Sequence, residues 1–210
     1  VTLDIQPQAE IMDVNIISAL IGVGLGWLLS QLTDLIKVKR RKVKIIDSVY
    51  VEISDINAWL VRMMRQTKYA LQLIVLNQRI TSVPGRIHTF IFDEHFHEIC
   101  MDLSRDARIG LTDAYDSIKT INELIAQLSE LIDDQSDSKR LCQKFEAIHS
   151  VAHDVEFKTR YLLNNRNGSM KDLVGVAIEL DKNLNEELEF IVKEAKEIGV
   201  DGIKSKFYAE

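Results

Sequence analysis

The chain has 210 residues, with 26 Lys and Arg against 32 Asp and Glu and a formal net charge of −6. That length holds one moderate domain or a small two-part bundle. The only cysteines, Cys100 and Cys142, form no CxxC pair, which excludes a disulfide scaffold and gives no strong metal signal.

Residues 1–13 read as a short exterior segment. Pro7 interrupts any helix there, and the stretch is too short for a ligand domain. Val14–Thr33 then runs for 20 residues without a formal charge. At about 1.5 Å per residue it covers roughly 30 Å, one hydrocarbon core. The spacing predicts a transmembrane helix over 14–36. Ser18, Gly22, Gly26 and Ser30 return every four residues and make a small-residue face suited to close helix approach in lipid. That face predicts membrane assembly and a homo-oligomer.

A basic juxtamembrane segment follows at 37–44. Lys37, Lys39, Arg40, Arg41, Lys42 and Lys44 suit anionic membrane lipids and their phosphate headgroups. No Lys or Arg precedes Lys37, so the charge asymmetry predicts one span, N-out and C-in. A removable signal peptide fits poorly without a basic leader. Nucleic acid would meet the same charges, but no aromatic interleaving or recognisable module follows. Gly22, Gly24 and Gly26 lack the order and the βαβ setting of a nucleotide loop.

The remainder predicts a cytoplasmic helical domain over 45–198. Val49, Ile53, Ile56, Leu60, Met63, Thr67, Ala70 and Ile74 alternate four- and three-residue steps, a coiled-coil-like seam on a helix to about Ile80. Thr81–Gly85 breaks it through Pro84 and Gly85. A second long helix is expected from His88–Asp93 to Ile132, its seam running Phe96, Cys100, Leu103, Ala107, Leu111, Ala114, Ile118, Ile121, Ile125 and Leu128. The two would form a helical hairpin. After the polar break Asp133–Ser138, a third helix is expected at about Lys139–Leu163, with Leu141, Phe145, Ile148, Ala152 and Val155 inward. Asn164–Ser169 supplies a turn. A fourth helix is expected at Met170–Ile198, carrying Leu173, Ala177, Leu180, Leu184, Leu188, Ile191, Ala195 and Ile198. Gly199 and Gly202 then turn or fray a tail over 199–210. The fold class is therefore all-α: a single transmembrane helix, a long helical hairpin and two shorter helices closing as a four-helix bundle.

Chemical sites are sparse. Glu94, His95, His97 and Glu98 are rich in ligand atoms, but His95 and His97 cannot share one face of an ideal helix. His149 and His153 stand four apart and can share a face with Glu146 and Glu156, which suits a metal or proton site or a charged flank. No catalytic order emerges, and no metal or cofactor is expected. The leading expectation is a non-enzymatic, membrane-anchored assembly or signalling adaptor whose cytoplasmic helices bind a protein partner or ligand. The alternatives are an effector that oligomerises through its span to form a pore or defect, and a soluble helical enzyme with a buried hydrophobic helix.

Overall fold

A computed structural model describes the backbone of residues 8–133, 137–166 and 173–209, and the side chains of 18–132, 137–166 and 183–209. The expected leader up to residue 7 and the turn residues 134–136 and 167–172 lie outside that description, as do the side chains of Leu173, Ala177 and Leu180. The protein is all-helical, and no strand occurs among the described residues. The helices are α1 (Gln8–Val75), α2 (Phe90–Ile99), α3 (Arg105–Asp133), α4 (Ser138–Asn164) and α5 (Leu173–Ala209). Two compact units divide the chain, Val1–Ile46 and Asp47–Glu210.

The two prolines of the chain, Pro7 and Pro84, bracket α1. Nothing between them removes a backbone donor, so Lys37–Lys44 is helical like its neighbours. In the first unit the helix is long and apolar enough to span a membrane, with a mean hydropathy of 1.5 in its most apolar window. The large apolar side chains from Leu20 to Val38 are 50–73% exposed.

The second unit is a helical bundle. Val49, Ile53, Ile56, Leu60, Met63, Thr67 and Ala70 are buried, as the seam predicts. Ile74 is only half-buried, because α1 ends at Val75, five residues earlier than expected. α3 packs on α4 and α4 on α5. Lys144 reaches from α4 to Gln127 of α3 at 2.6 Å. On α4, Leu141, Phe145, Ile148, Ala152 and Val155 are all buried. Asp137 caps that helix by accepting from the Arg140 amide at 2.9 Å.

The expected second long helix is two helices. α2 ends at Ile99, and α3 starts afresh after Ser104, whose hydroxyl accepts from the Ala107 amide at 3.1 Å. This is an N-cap, and it satisfies a donor that a continuous helix would have paired internally. Phe96, Cys100 and Leu103 are therefore only half-buried, while Ala107, Leu111, Ala114, Ile118, Ile121, Ile125 and Leu128 fill the core.

Residues 76–89 connect α1 to α2 without regular structure, yet Ile80, Pro84 and Ile87 are buried. Asn122 of α3 holds this connection with one side chain. Its Nδ2 donates to the Ile87 carbonyl at 2.8 Å, and its Oδ1 accepts from the Ile87 amide at 2.9 Å. Both polar groups of a buried residue are thus satisfied without a helix or strand.

Two backbone features shape the far end of the bundle. Asn77 sits at φ 53, the left-handed conformation that ends many helices. Its amide donates to the Ile74 carbonyl at 2.9 Å, and the Gln78 amide donates to the Leu73 carbonyl at 2.9 Å. These bonds satisfy the last carbonyls of α1 and fold the chain back over it. Gly199 has φ 66 and ψ −177, a region essentially reserved for glycine, and it kinks α5. The segment expected as a tail from Gly199 is helical to Ala209, with Ile203 buried.

Candidate functional site

Ser18, Gly22, Gly26 and Ser30 all lie on exposed α1. A Cβ added at Gly22 or Gly26 would meet nothing within 4 Å. Of the basic residues, Lys37, Lys39, Arg40, Arg41 and Lys44 are exposed and Lys42 is half-buried. Lys37 also lies 3.5 Å from Asp34 one turn earlier.

The histidines separate by environment. His95 contacts Glu98 at 3.1 Å and Glu94 at 4.0 Å, while His97 is exposed. Among the described residues no three His, Cys, Asp or Glu side chains gather as a metal site. His149 is 1% exposed and lies inside the core. Its Nδ1 is 2.8 Å from the Thr67 hydroxyl, which donates its only proton to the Met64 carbonyl at 2.9 Å. Proton accounting therefore makes His149 Nδ1–H the donor and Thr67 Oγ1 the acceptor. Nε2 faces Glu187 of α5 at 3.6 Å and has no hydrogen-bond partner. Proximity to His149 first, then the charges of His149, His153 and Lys68, hold the Glu187 carboxyl below its ordinary value against the opposing effect of burial. The two histidines thus act on one carboxylate, but as a helix-to-helix tie rather than a metal cage.

Other buried polar groups are also structural ties. Glu52 of α1 accepts from the Ile91 and Phe92 amides at 2.8 and 3.0 Å, at the start of α2. Asn57 donates to Thr159 at 2.9 Å and to the Glu156 carbonyl at 3.1 Å on α4. Glu194 of α5 accepts from Gln72 at 2.8 Å and pairs with Lys68 at 3.5 Å and with Lys206. Burial and neighbouring Glu146 push the Cys142 thiol up to about 11, which leaves it an inert thiol at neutral pH.

One cavity lies at the end of the bundle where the chain folds back. Its volume is about 450 Å³. The Asn77 turn brings Arg79, Thr81 and Ser82 to it, and the helix beyond Gly199 brings Lys204, Phe207 and Tyr208. Tyr69 of α1 stacks on Phe207 with ring centroids 4.2 Å apart, and Tyr208 meets Phe207 edge-on at 5.5 Å. Among the described residues lining the cavity none is Asp or Glu. Sequence reasoning missed this site, because its walls come from segments read as a break and a tail.

The fold defines a helical-bundle protein with, among the described residues, one helix long and apolar enough to cross a membrane. Comparisons with protein-family models, curated proteins and solved structures find no match.

Proposed function

We propose that this is a single-pass membrane protein, N-out and C-in, whose bundle acts in the cytoplasm as a non-enzymatic assembly or signalling adaptor. The observation that carries the reading is the exposed apolar run from Leu20 to Val38, overlapping at its end with the basic block Lys37–Lys44. In water such a run would leave large side chains unburied, whereas lipid covers them. The basic block supports retention on the cytoplasmic side and attraction to anionic headgroups, worth about 1 kcal/mol per charge near such a surface. The open small-residue face at Ser18, Gly22, Gly26 and Ser30 supports assembly with a second copy. The bundle is then the part that meets a protein partner or a ligand.

Four measurements test this. Flotation with vesicles after alkaline extraction should keep the full chain in the membrane fraction, and recovery in the soluble fraction would overturn the anchor. Thiol labelling of Thr2→Cys in a background of Cys100→Ser and Cys142→Ser should proceed from the exterior side alone. Replacing Gly22 and Gly26 by Leu should lower the oligomer size in nanodiscs or native-like membrane. An unchanged size would remove the small-residue face from the mechanism. Dye leakage from vesicles carrying the intact protein would favour a pore or membrane defect over an adaptor.

A further inference from the structure

We infer that the cavity between the Asn77 turn and the helix after Gly199 binds a small soluble ligand that carries both phosphate and a flat ring, the chemistry of a nucleotide. The inference deepens the ligand-binding half of the proposed function, and it holds with or without the membrane anchor. At about 450 Å³ the cavity falls within the range of roughly 300–1,000 Å³ typical of small-molecule sites.

Its lining combines two chemistries. Arg79 and Lys204 supply two cations, and neither makes an ion pair among the described residues. By contrast, Lys68 and Lys206 near this end of the bundle both pair with Glu194. Two uncommitted cations on one cavity, with no carboxylate among its described lining residues, create a site of positive potential that favours an anion. The hydroxyls of Thr81 and Ser82 line the same cavity and add donors suited to phosphate oxygens. Guanidinium and ammonium are also the side-chain groups best matched to that anion.

The lining is also aromatic. Tyr69 and Phe207 already form a stack, and Tyr208 stands beside it 80% exposed. A large aromatic side chain left open at a cavity rim is a platform for a planar ligand, because a ring buries area on it without needing directional bonds. Gln66 and Gln78 on the lining can donate to or accept from the edge of that ring. A free inorganic anion would use only the cations and hydroxyls. A lipid would need room for acyl chains, which a cavity of this size with a mixed polar lining does not offer.

The backbone also fits a ligand site. Asn77 holds a left-handed conformation and Gly199 a glycine-only one, and each delivers a different wall. Such conformations gather where geometry serves binding. A ligand held by Arg79 on one side and Lys204 on the other would tie the end of α1 to the end of α5. That is a direct means of changing helix packing.

The test is calorimetric titration of the full chain in phosphatidylcholine nanodiscs with AMP and with GMP, alongside adenosine and inorganic phosphate. At least one nucleotide should bind saturably, and adenosine and phosphate should each bind about tenfold more weakly or worse. Combining Arg79→Gln with Lys204→Gln should weaken nucleotide binding by at least about tenfold, while Lys204→Arg retains it. Phe207→Leu should weaken the nucleotide and leave the response to phosphate unchanged. Lys196→Gln, an exposed charge on α5 away from the cavity, should change nothing. Circular dichroism of each variant reports whether the bundle is intact. Absence of saturable binding by both nucleotides overturns the inference, and so does equal binding of phosphate and nucleotide. Unchanged affinity in the doubly substituted, folded chain overturns it as well. Nucleotide binding by a chain that fails to float with vesicles would instead overturn the anchor and leave this site standing.

Discussion

Tyr115 donates a 2.7 Å hydrogen bond to the buried carboxylate of Glu52, joining α3 to α1. The same carboxylate closes the N-terminus of α2 through the Ile91 and Phe92 amides. Tyr115 also stacks on Phe92, with centroids 3.7 Å apart. Three helices therefore meet at one acidic side chain, which the positive end of the α2 dipole favours. Burial, with Glu52 behind it, pushes the Tyr115 phenol well above its ordinary value, so it remains a donor at any physiological pH.

Glu52→Ala strands three donors, two of them on the buried Phe92 and Tyr115, and each buried loss costs about 1–3 kcal/mol. Tyr115→Phe removes one bond and should cost about 1.5 kcal/mol. Because the two share a partner, the double substitution should cost less than the sum of the singles. Urea unfolding of all four chains checks this, and strict additivity would show that the pair is not coupled.

Thr67 is the acceptor for a histidine proton inside the core. Thr67→Val keeps the shape and leaves the His149 Nδ1–H without a partner, at a cost of about 1–3 kcal/mol. Thr67→Ser keeps the acceptor and should lose less. Equal loss in both variants by thermal unfolding would mean that the methyl group, not the hydrogen bond, carries the effect.

The Asn77 turn and the Gly199 kink both hold positive φ, so both should resist side chains that disfavour it. Asn77→Gly should be tolerated, since glycine enters the left-handed region freely. Asn77→Val should cost about 1–2 kcal/mol. Gly199→Ala should cost about 1–3 kcal/mol, because only glycine occupies that conformation readily. Melting temperatures give the order, and a Gly199→Ala chain as stable as its parent would mean that the kink can relax.

Acid should weaken the contact between α1 and α5. Lys206 first, and Lys68 with it, hold the Glu194 carboxyl below its ordinary 4.5, against the opposing effect of burial. A carboxyl whose native pKa is lowered contributes stability that is fully present above pH 4.5 and is lost as pH falls through the lower native value. Glu187 acts in the same direction through His149. Glu194→Gln should be less stable than the parent at pH 7 and show a flatter decline below pH 4.5. Denaturation midpoints measured from pH 7 to pH 3 report both, and an equally steep decline in the variant would assign the acid loss elsewhere.

How much of this was readable in advance depended on the range of the signal. The seam from Val49 to Ala70 was legible because burial on one helix face follows a local period. So were the stripe of α4 and the apolar character of Val14–Thr33. The break between α2 and α3 was not, because Phe96, Cys100 and Leu103 keep the period across it. The available signal was Ser104, a capping residue three positions before the Ala107 amide that it receives. His149 shares a face with His153, as its spacing suggested. Its burial depended on α1 and α5 closing over it, which spacing on α4 does not encode. The cavity was the least legible feature, since Tyr69, Arg79 and Lys204 meet only through two unusual backbone turns.

Asn122 carries one more consequence. Residues 76–89 are tied to α3 by an amide that both gives and receives at Ile87. Hydrolysis of that amide, a slow ageing reaction of asparagine, swaps its donor for a second oxygen. The new carboxylate would still accept from the Ile87 amide but would repel the Ile87 carbonyl. Spontaneous chemistry at a single nitrogen would thereby loosen the segment bearing Arg79 and Arg86, both exposed. Asn122→Asp imitates the aged chain, and trypsin should cut it after those arginines faster than it cuts the parent. Equal cleavage rates would show that the buried Ile80, Pro84 and Ile87 hold the segment by themselves. In a long-lived copy this one side chain would act as a clock, written in covalent chemistry rather than in helix packing.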